Sequence, residues 1–288
     1  MRVLVSILIF LGSVDPLFGC ASCGSGGGEP LILYPNETIK SYFGLGFHSG
    51  FRNVNSSGDV RRSTGPEKKY SATFSVGYRA SLNGFFTATV PYLINVKNND
   101  ERKRVGDPSL AYRYTLVPMN FTRPTIPQVQ VLFGYKKSRG ASMAENPTAI
   151  DVFGNGSNEK RVGLDLWTGM APIQTGLNLL RTYYDEFSAN GMTHKLGVSD
   201  QVTASLGSIF GSYKGSLGLI RKNRRPLTMN SVVISNSDQM QKDAYITIET
   251  RRPTDNFRLT YLRQGSWGAL KNGVQSTKAV VAYMRTFR

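Results

Sequence analysis

Apolar and polar residues alternate with a period of two in stretch after stretch of this chain, most clearly between Tyr70 and Lys97. In the first arm Tyr70, Ala72, Phe74, Val76 and Tyr78 alternate with Ser71, Thr73, Ser75, Gly77 and Arg79. After Leu82-Asn83-Gly84, Phe86, Ala88, Val90, Tyr92, Ile94 and Val96 alternate mostly with Thr87, Thr89, Pro91, Asn95 and Lys97. Successive strand side chains point to opposite faces, so each arm has one apolar and one largely polar face. Each arm has about ten residues, the length that lets a tilted strand cross a bilayer.

The pattern recurs along the chain and predicts twelve strands. One starts at Thr38, two are the arms above, and others run over Ser109–Leu116, Gln128–Lys136, Val162–Trp167, Gln201–Phe210 and Tyr213–Lys222. Three more cover Ala244–Arg251, Phe257–Tyr261 and Thr277–Phe287, while Thr175–Phe187 is mixed and its facing stays open. Connections alternate between short ones near residues 82, 120, 173, 211 and 254 and long ones near 60, 102, 149, 193, 232 and 270. Bacterial outer-membrane barrels show this asymmetry, with short periplasmic turns, long outer loops and an even strand number. The expected fold is all-β, a single transmembrane antiparallel up-and-down barrel over residues 38–288 with both termini on the short-turn side. A soluble β-sandwich or lipocalin-like barrel also alternates. Strand number and tyrosines at strand ends favour the membrane, as does the last segment. There Tyr283 and Phe287 share a face and resemble the C-terminal sorting strand of outer-membrane proteins, although Arg285 interrupts that face and Arg288 follows it.

The N-terminus adds an address. Arg2 precedes the apolar run Val3 to Leu11, too short to span a membrane, and small residues follow; residues 1–19 read as a signal peptide. Leu17-Phe18-Gly19-Cys20 resembles the lipobox of bacterial lipoproteins, which makes Cys20 the candidate lipidation site; ordinary cleavage near Gly19 is the alternative. Residues 20–37, with their Gly-Ser-Gly-Gly-Gly run, read as a flexible tether. Cys20 and Cys23 are the chain's two cysteines. With no His beside them they cannot close a four-ligand zinc site alone, which leaves a free Cys23, a small disulfide or a soft-metal site.

A formal net charge of +16 points to anionic partners. Expected partners are outer-membrane lipids, lipopolysaccharide, the barrel-assembly machinery and a small solute. Nucleic acid is not expected, because no basic recognition helix or aromatic sheet motif is present. With the apolar stripes facing lipid, the lumen receives Arg79, Arg113, Lys136, Asp165, Lys214, Glu249, Arg251 and Arg258, a basic set on balance. That predicts a narrow channel or transporter for small anionic or hydrophobic solutes. One alternative is a lipid- or lipopolysaccharide-modifying enzyme using His48 or His194, neither of which has an acidic partner at an expected spacing. Another is a structural or adhesive barrel with a closed lumen. No cofactor or metal is expected.

Two short motifs carry a family resemblance. Gly106-Asp107-Pro108-Ser109 opening the strand to Leu116, and Gly154-Asn155-Gly156-Ser157 before Val162–Met170, resemble the outer-membrane transporters grouped with phenol meta-pathway proteins. The cysteine-containing, glycine-rich stretch after the signal is similar to that of some members. The resemblance implies a barrel and solute passage, and no functional residues.

Overall fold

The computed structural model describes residues 31–33, 36–62, 67–119, 126–139, 154–168 and 173–287. The expected signal peptide and Cys20 lie outside them. All regular structure among the described residues is strand, and twelve long antiparallel strands make the wall. They are β1 (Ile39–Val54), β2 (Lys68–Arg79), β3 (Gly84–Lys97), β4 (Ser109–Val117), β5 (Gln128–Lys136) and β6 (Glu159–Thr168). The second half is β7 (Ile173–Tyr184), β8 (Ser199–Phe210), β9 (Tyr213–Arg224), β10 (Gln239–Thr250), β11 (Asp255–Gln264) and β12 (Val274–Phe287). Each strand pairs with its sequence neighbour, and β1 pairs with β12 from Ile39↔Phe287 to Asn53↔Val274, so the sheet closes on itself. Closure leaves no edge strand in the wall.

The face of each strand settles the choice between membrane and soluble barrel. On β2, Phe74 is 53% exposed while its neighbour Ser75 is 0% exposed. The same inversion holds around the barrel, with Leu45, Val90, Leu110, Phe133, Leu217, Ile246 and Val281 outward and Thr89, Arg113, Gln130, Asp165, Asn178, Thr203 and Lys214 buried. A soluble barrel would bury the first set and expose the second. The outward aromatics form two belts. Tyr78, Phe86, Tyr114, Phe210, Tyr213, Phe257 and Phe287 lie towards the short-turn end; Phe47, Tyr70, Tyr92, Tyr135 and Tyr183 lie towards the long-loop end. These are the interfacial girdles of a membrane barrel.

The mixed segment β7 resolves into Gln174, Asn178, Thr182 and Tyr184 inward and Ile173, Leu177, Leu179, Arg181 and Tyr183 outward. Its charge faces out because the Arg181 guanidinium bonds Asp200 on β8 at 2.6 Å near the long-loop end. The long loops hold more structure than their polarity suggests. Val60–Arg62 pairs back on β1, and Asp100–Val105 extends β3 as a hairpin. A separate four-stranded sheet joins two loops through Phe187–Ala189, Met192–Lys195, Thr228–Met229 and Val232–Val233. Three of these hairpins turn on residue pairs with both φ positive, Asn98-Asn99, Asn190-Gly191 and Asn230-Ser231, the geometry of a type I′ turn.

The expected tether is corrected at its C-terminal part. Leu31, Ile32 and Leu33 are buried inside the short-turn end of the barrel. Leu31 packs with Tyr42, Ala282 and Met284 from β1 and β12, and Ile32 and Leu33 pack with Phe85 from β3.

Candidate functional site

The lumen is organised in three tiers. At the short-turn end the apolar strap of residues 31–33 is tied to the wall by cations. Arg79 donates from Nη2 to the Leu33 carbonyl at 2.9 Å and from Nε to the Glu37 carbonyl at 2.9 Å. Lys40 donates to the Ile32 carbonyl at 3.4 Å and pairs with the Glu37 carboxylate at 3.1 Å, which Thr286 Oγ1 also reaches at 3.3 Å. Gly77 makes room for the strap, because a Cβ there would run into Leu33 Cδ1. In the same tier Arg258 pairs with Glu249 at 2.7 Å, and Lys214 is the register neighbour of Glu249.

The middle tier is a buried ion pair. Arg113 on β4 reaches past β5 to Asp165 on β6, and Asn178 on β7 donates to the same carboxylate. Both charges are nearly fully buried, so each depends on the other. Trp167 covers the neighbouring Gly176.

The long-loop tier brings the two sequence motifs together. Asp107 of the Gly-Asp-Pro-Ser motif accepts from the Arg139 amide at 2.8 Å and lies 3.6 Å from Lys136 Nζ. Lys136 pairs with Glu159 at 2.5 Å, and Arg161 pairs with the same carboxylate at 2.7 Å. Asn155 of the Gly-Asn-Gly-Ser motif donates to Glu159 at 2.8 Å, and a side chain at Gly154 would meet Asp107. The Ser157 Oγ donates to the Asp185 carbonyl at 2.5 Å and so ties this knot to the β7–β8 connection. The motifs are therefore one piece of loop architecture, held by charge.

The eight residues expected to line the lumen distribute as follows. Arg113, Asp165 and Lys214 are buried, and Glu249 and Arg258 are paired and nearly buried. Lys136 sits in the loop-side knot, Arg79 holds the strap, and Arg251 lies one residue past the end of β10. Sequence reasoning missed Lys69, Lys222 and Lys278 on the inner face; Lys69 and Lys278 have no carboxylate partner among the described residues, while Lys222 lies within electrostatic reach of Glu159 and Asp243. Their positions opposite outward aromatics and aliphatics, such as Tyr70 and Leu219, were the available signal. Tyr283 and Phe287 face outward on β12; Tyr283 donates to Asp255, and Arg285 lies 5.5 Å over the Phe287 ring. His194 stacks on Phe187 in the loop sheet, far along the chain from His48 on β1. His48 Nε2 lies 2.7 Å from Ser276 Oγ, whose own proton goes to Gln264 Oε1 at 2.6 Å. The pair faces the lumen rather than lipid. Groups of three or more metal-ligating side chains are absent among the described residues.

No family model matches this sequence, and no curated protein matches it. Solved structures do. The chain is similar to an outer-membrane channel from Pseudomonas putida F1, with a TM-score of 0.70 at 13% identity over 96% of this chain and 100% of that one. It is also similar to the KdgM porin in complex with disordered oligogalacturonate, with a TM-score of 0.50 at 8% identity over 86% of this chain and 99% of that one. The likeness establishes the fold. The chain is a twelve-stranded barrel of the outer-membrane type, as the resemblance read from its motifs implies.

Proposed function

We propose that this barrel sits in the bacterial outer membrane, short turns and N-terminus towards the periplasm, and passes small anionic solutes through a narrow lumen. The observation that carries this reading is the charge balance of the inner face. Asp165, Glu159, Glu249 and Glu37 each have a cationic partner, and Asp243 is held by Gln241 Nε2 at 2.7 Å and the Gly265 amide at 2.9 Å. Lys69 and Lys278 have no such partner, so the wall presents surplus positive charge to whatever enters. Wall charge sets ion preference in a confined pore. The two solved channels of the same fold support passage as the task. A hydrolase acting on lipid is less well supported, since its candidate His48 is turned away from the lipid face.

The test is the reversal potential of the refolded barrel in a planar bilayer under a potassium chloride gradient. Chloride preference is expected; a potential of the opposite sign would refute the reading. Acylation of Cys20 belongs to the same proposal, and its test is acyl labelling that disappears in Cys20→Ala.

A further inference from the structure

The long-loop half of the lumen contains a second arrangement, distinct from the ion-pair tiers and built around β1. Lys69 on β2 and Lys278 on β12 are both register partners of His48, one on each side. Their Cα atoms are thus separated by two strand spacings, roughly 10 Å. All three side chains point inward, alternating with outward Phe47 and Tyr70. Lysine stems are long and flexible enough for two ammonium groups that far apart to converge on one small group.

What surrounds the two ammonium groups is neutral. Lys69 faces Asn95 on β3, and Lys278 faces Leu262 on β11. Between them runs the neutral chain His48–Ser276–Gln264, with Ser276 Oγ donating to Gln264 Oε1 and lying 2.7 Å from His48 Nε2. Two inward ammonium groups flanking one histidine, without a carboxylate among the described residues, are costly to desolvate unless an anion joins them.

The backbone shows that the place is shaped. The β1–β12 register slips between Ser49 and Arg52, where Gly50 adopts φ +71°. This β-bulge reverses the alternation and re-aims Phe51, which would otherwise face lipid, so that its ring lies 4.3 Å from His48 and 5.5 Å from Lys69 Nζ. Bulges recur where a strand must re-aim a side chain at a site. Phe51 walls the loop side of the pair of lysines with an apolar face.

From this arrangement we infer that Lys69 and Lys278, with Phe51 and His48 beside them, form a saturable binding site for the carboxylate or phosphate group of a small solute in the lumen. The site faces away from lipid, so the group comes from a solute and not from a headgroup in the bilayer. It rests on the anion-passage reading for its purpose, though not for its existence.

The test titrates inorganic phosphate, and separately succinate, onto the refolded full-length barrel. In a planar bilayer, chloride current should fall along a saturating curve as either probe is added on the long-loop side. Lys69→Gln and Lys278→Gln should each raise the half-saturating concentration about tenfold, the scale of one lost charge-assisted contact. Lys278→Arg should restore most of the effect, and Lys195→Gln in the loop sheet should leave it unchanged. A linear dependence on probe concentration, or an unchanged half-saturation in the double Gln variant, would overturn the site while leaving anion passage standing. Calorimetric titration of the barrel in detergent separates the two. Phosphate binding that disappears in the double variant supports the site even in a barrel that passes no current, and absence of binding refutes it.

Discussion

Replacing Leu31, Ile32 and Leu33 together by Ser should free the strap from the short-turn end of the lumen. Burying a Leu or Ile side chain contributes ~1.5–3 kcal/mol, so the three carry roughly 5–9 kcal/mol as an upper bound. Holding three residues in one backbone conformation costs roughly 3–6 kcal/mol, which the apolar term offsets in the native chain. In the Ser variant that cost falls on the bonds from Arg79 and Lys40 to the strap carbonyls, the longer of which is 3.4 Å. The single change Leu33→Ser, at about 2 kcal/mol, should shift the docking equilibrium by about thirtyfold. The reporter is Ala282→Cys, at a wall position 2% exposed beneath Leu31, in a background with Cys20 and Cys23 changed to Ser. A thiol reagent small enough to enter the lumen should modify it slowly with the strap intact and rapidly in the triple Ser variant, and single-channel conductance should rise in parallel. Equal modification rates with equal conductance would show that the strap does not cover this wall, and the reasoning would fail.

Other expectations follow from the wall and the tiers. Val90→Arg places a charge on the lipid face at a cost of ~2–4 kcal/mol near the midplane and should block folding, read as loss of heat-modifiable gel mobility, whereas Thr73→Arg on the inner face should still fold. Asp165→Ala strands the Arg113 charge and should lower stability by about 3–5 kcal/mol in urea titrations, while the paired change Arg113→Met with Asp165→Leu should recover most of it. At the long-loop end the Lys160 ammonium, 2.8 Å away, holds the Asp185 carboxyl below the usual range. A depressed carboxyl contributes stability above its unfolded pKa, about 3.9, and loses it as pH falls through the lower folded value. Protease cleavage of the β7–β8 connection should therefore increase in acid, and Asp185→Asn should remove that pH dependence.

Most of the wall was legible because each strand writes its own two faces into alternate positions. Phe74 and Ser75 need no tertiary knowledge to be assigned once the barrel is assumed. What escaped depends on partners far away in sequence. Leu31-Ile32-Leu33 follows a glycine run and reads as tether, while its seat is assembled from Phe85, Tyr42 and Met284; an apolar triplet in a supposedly solvated linker was the one clue. Phe51 was hidden because one extra residue at Gly50 reverses the parity of everything beyond it. On β7, Leu180 and Arg181 hold the faces opposite to their polarity, and the reason, Asp200, lies on the next strand. Asn190-Gly191 did carry a local hairpin signal, obscured by the polar residues around it.

The seat of Leu31 has a temporal meaning as well as a spatial one. It combines Tyr42, from the first strand of the wall, with Ala282 and Met284, from the last, so it does not exist until the two ends of the sheet have met. Because that pairing joins the residues most distant in sequence, it carries the largest loop-closure cost of any pairing in the sheet. Ile32 and Leu33 pack on Phe85 and need no closure, whereas Leu31 completes its seat only when the seam has formed, and it then touches both sides of that seam. The complete seat of the strap is therefore a property of the closed barrel and not of an open sheet.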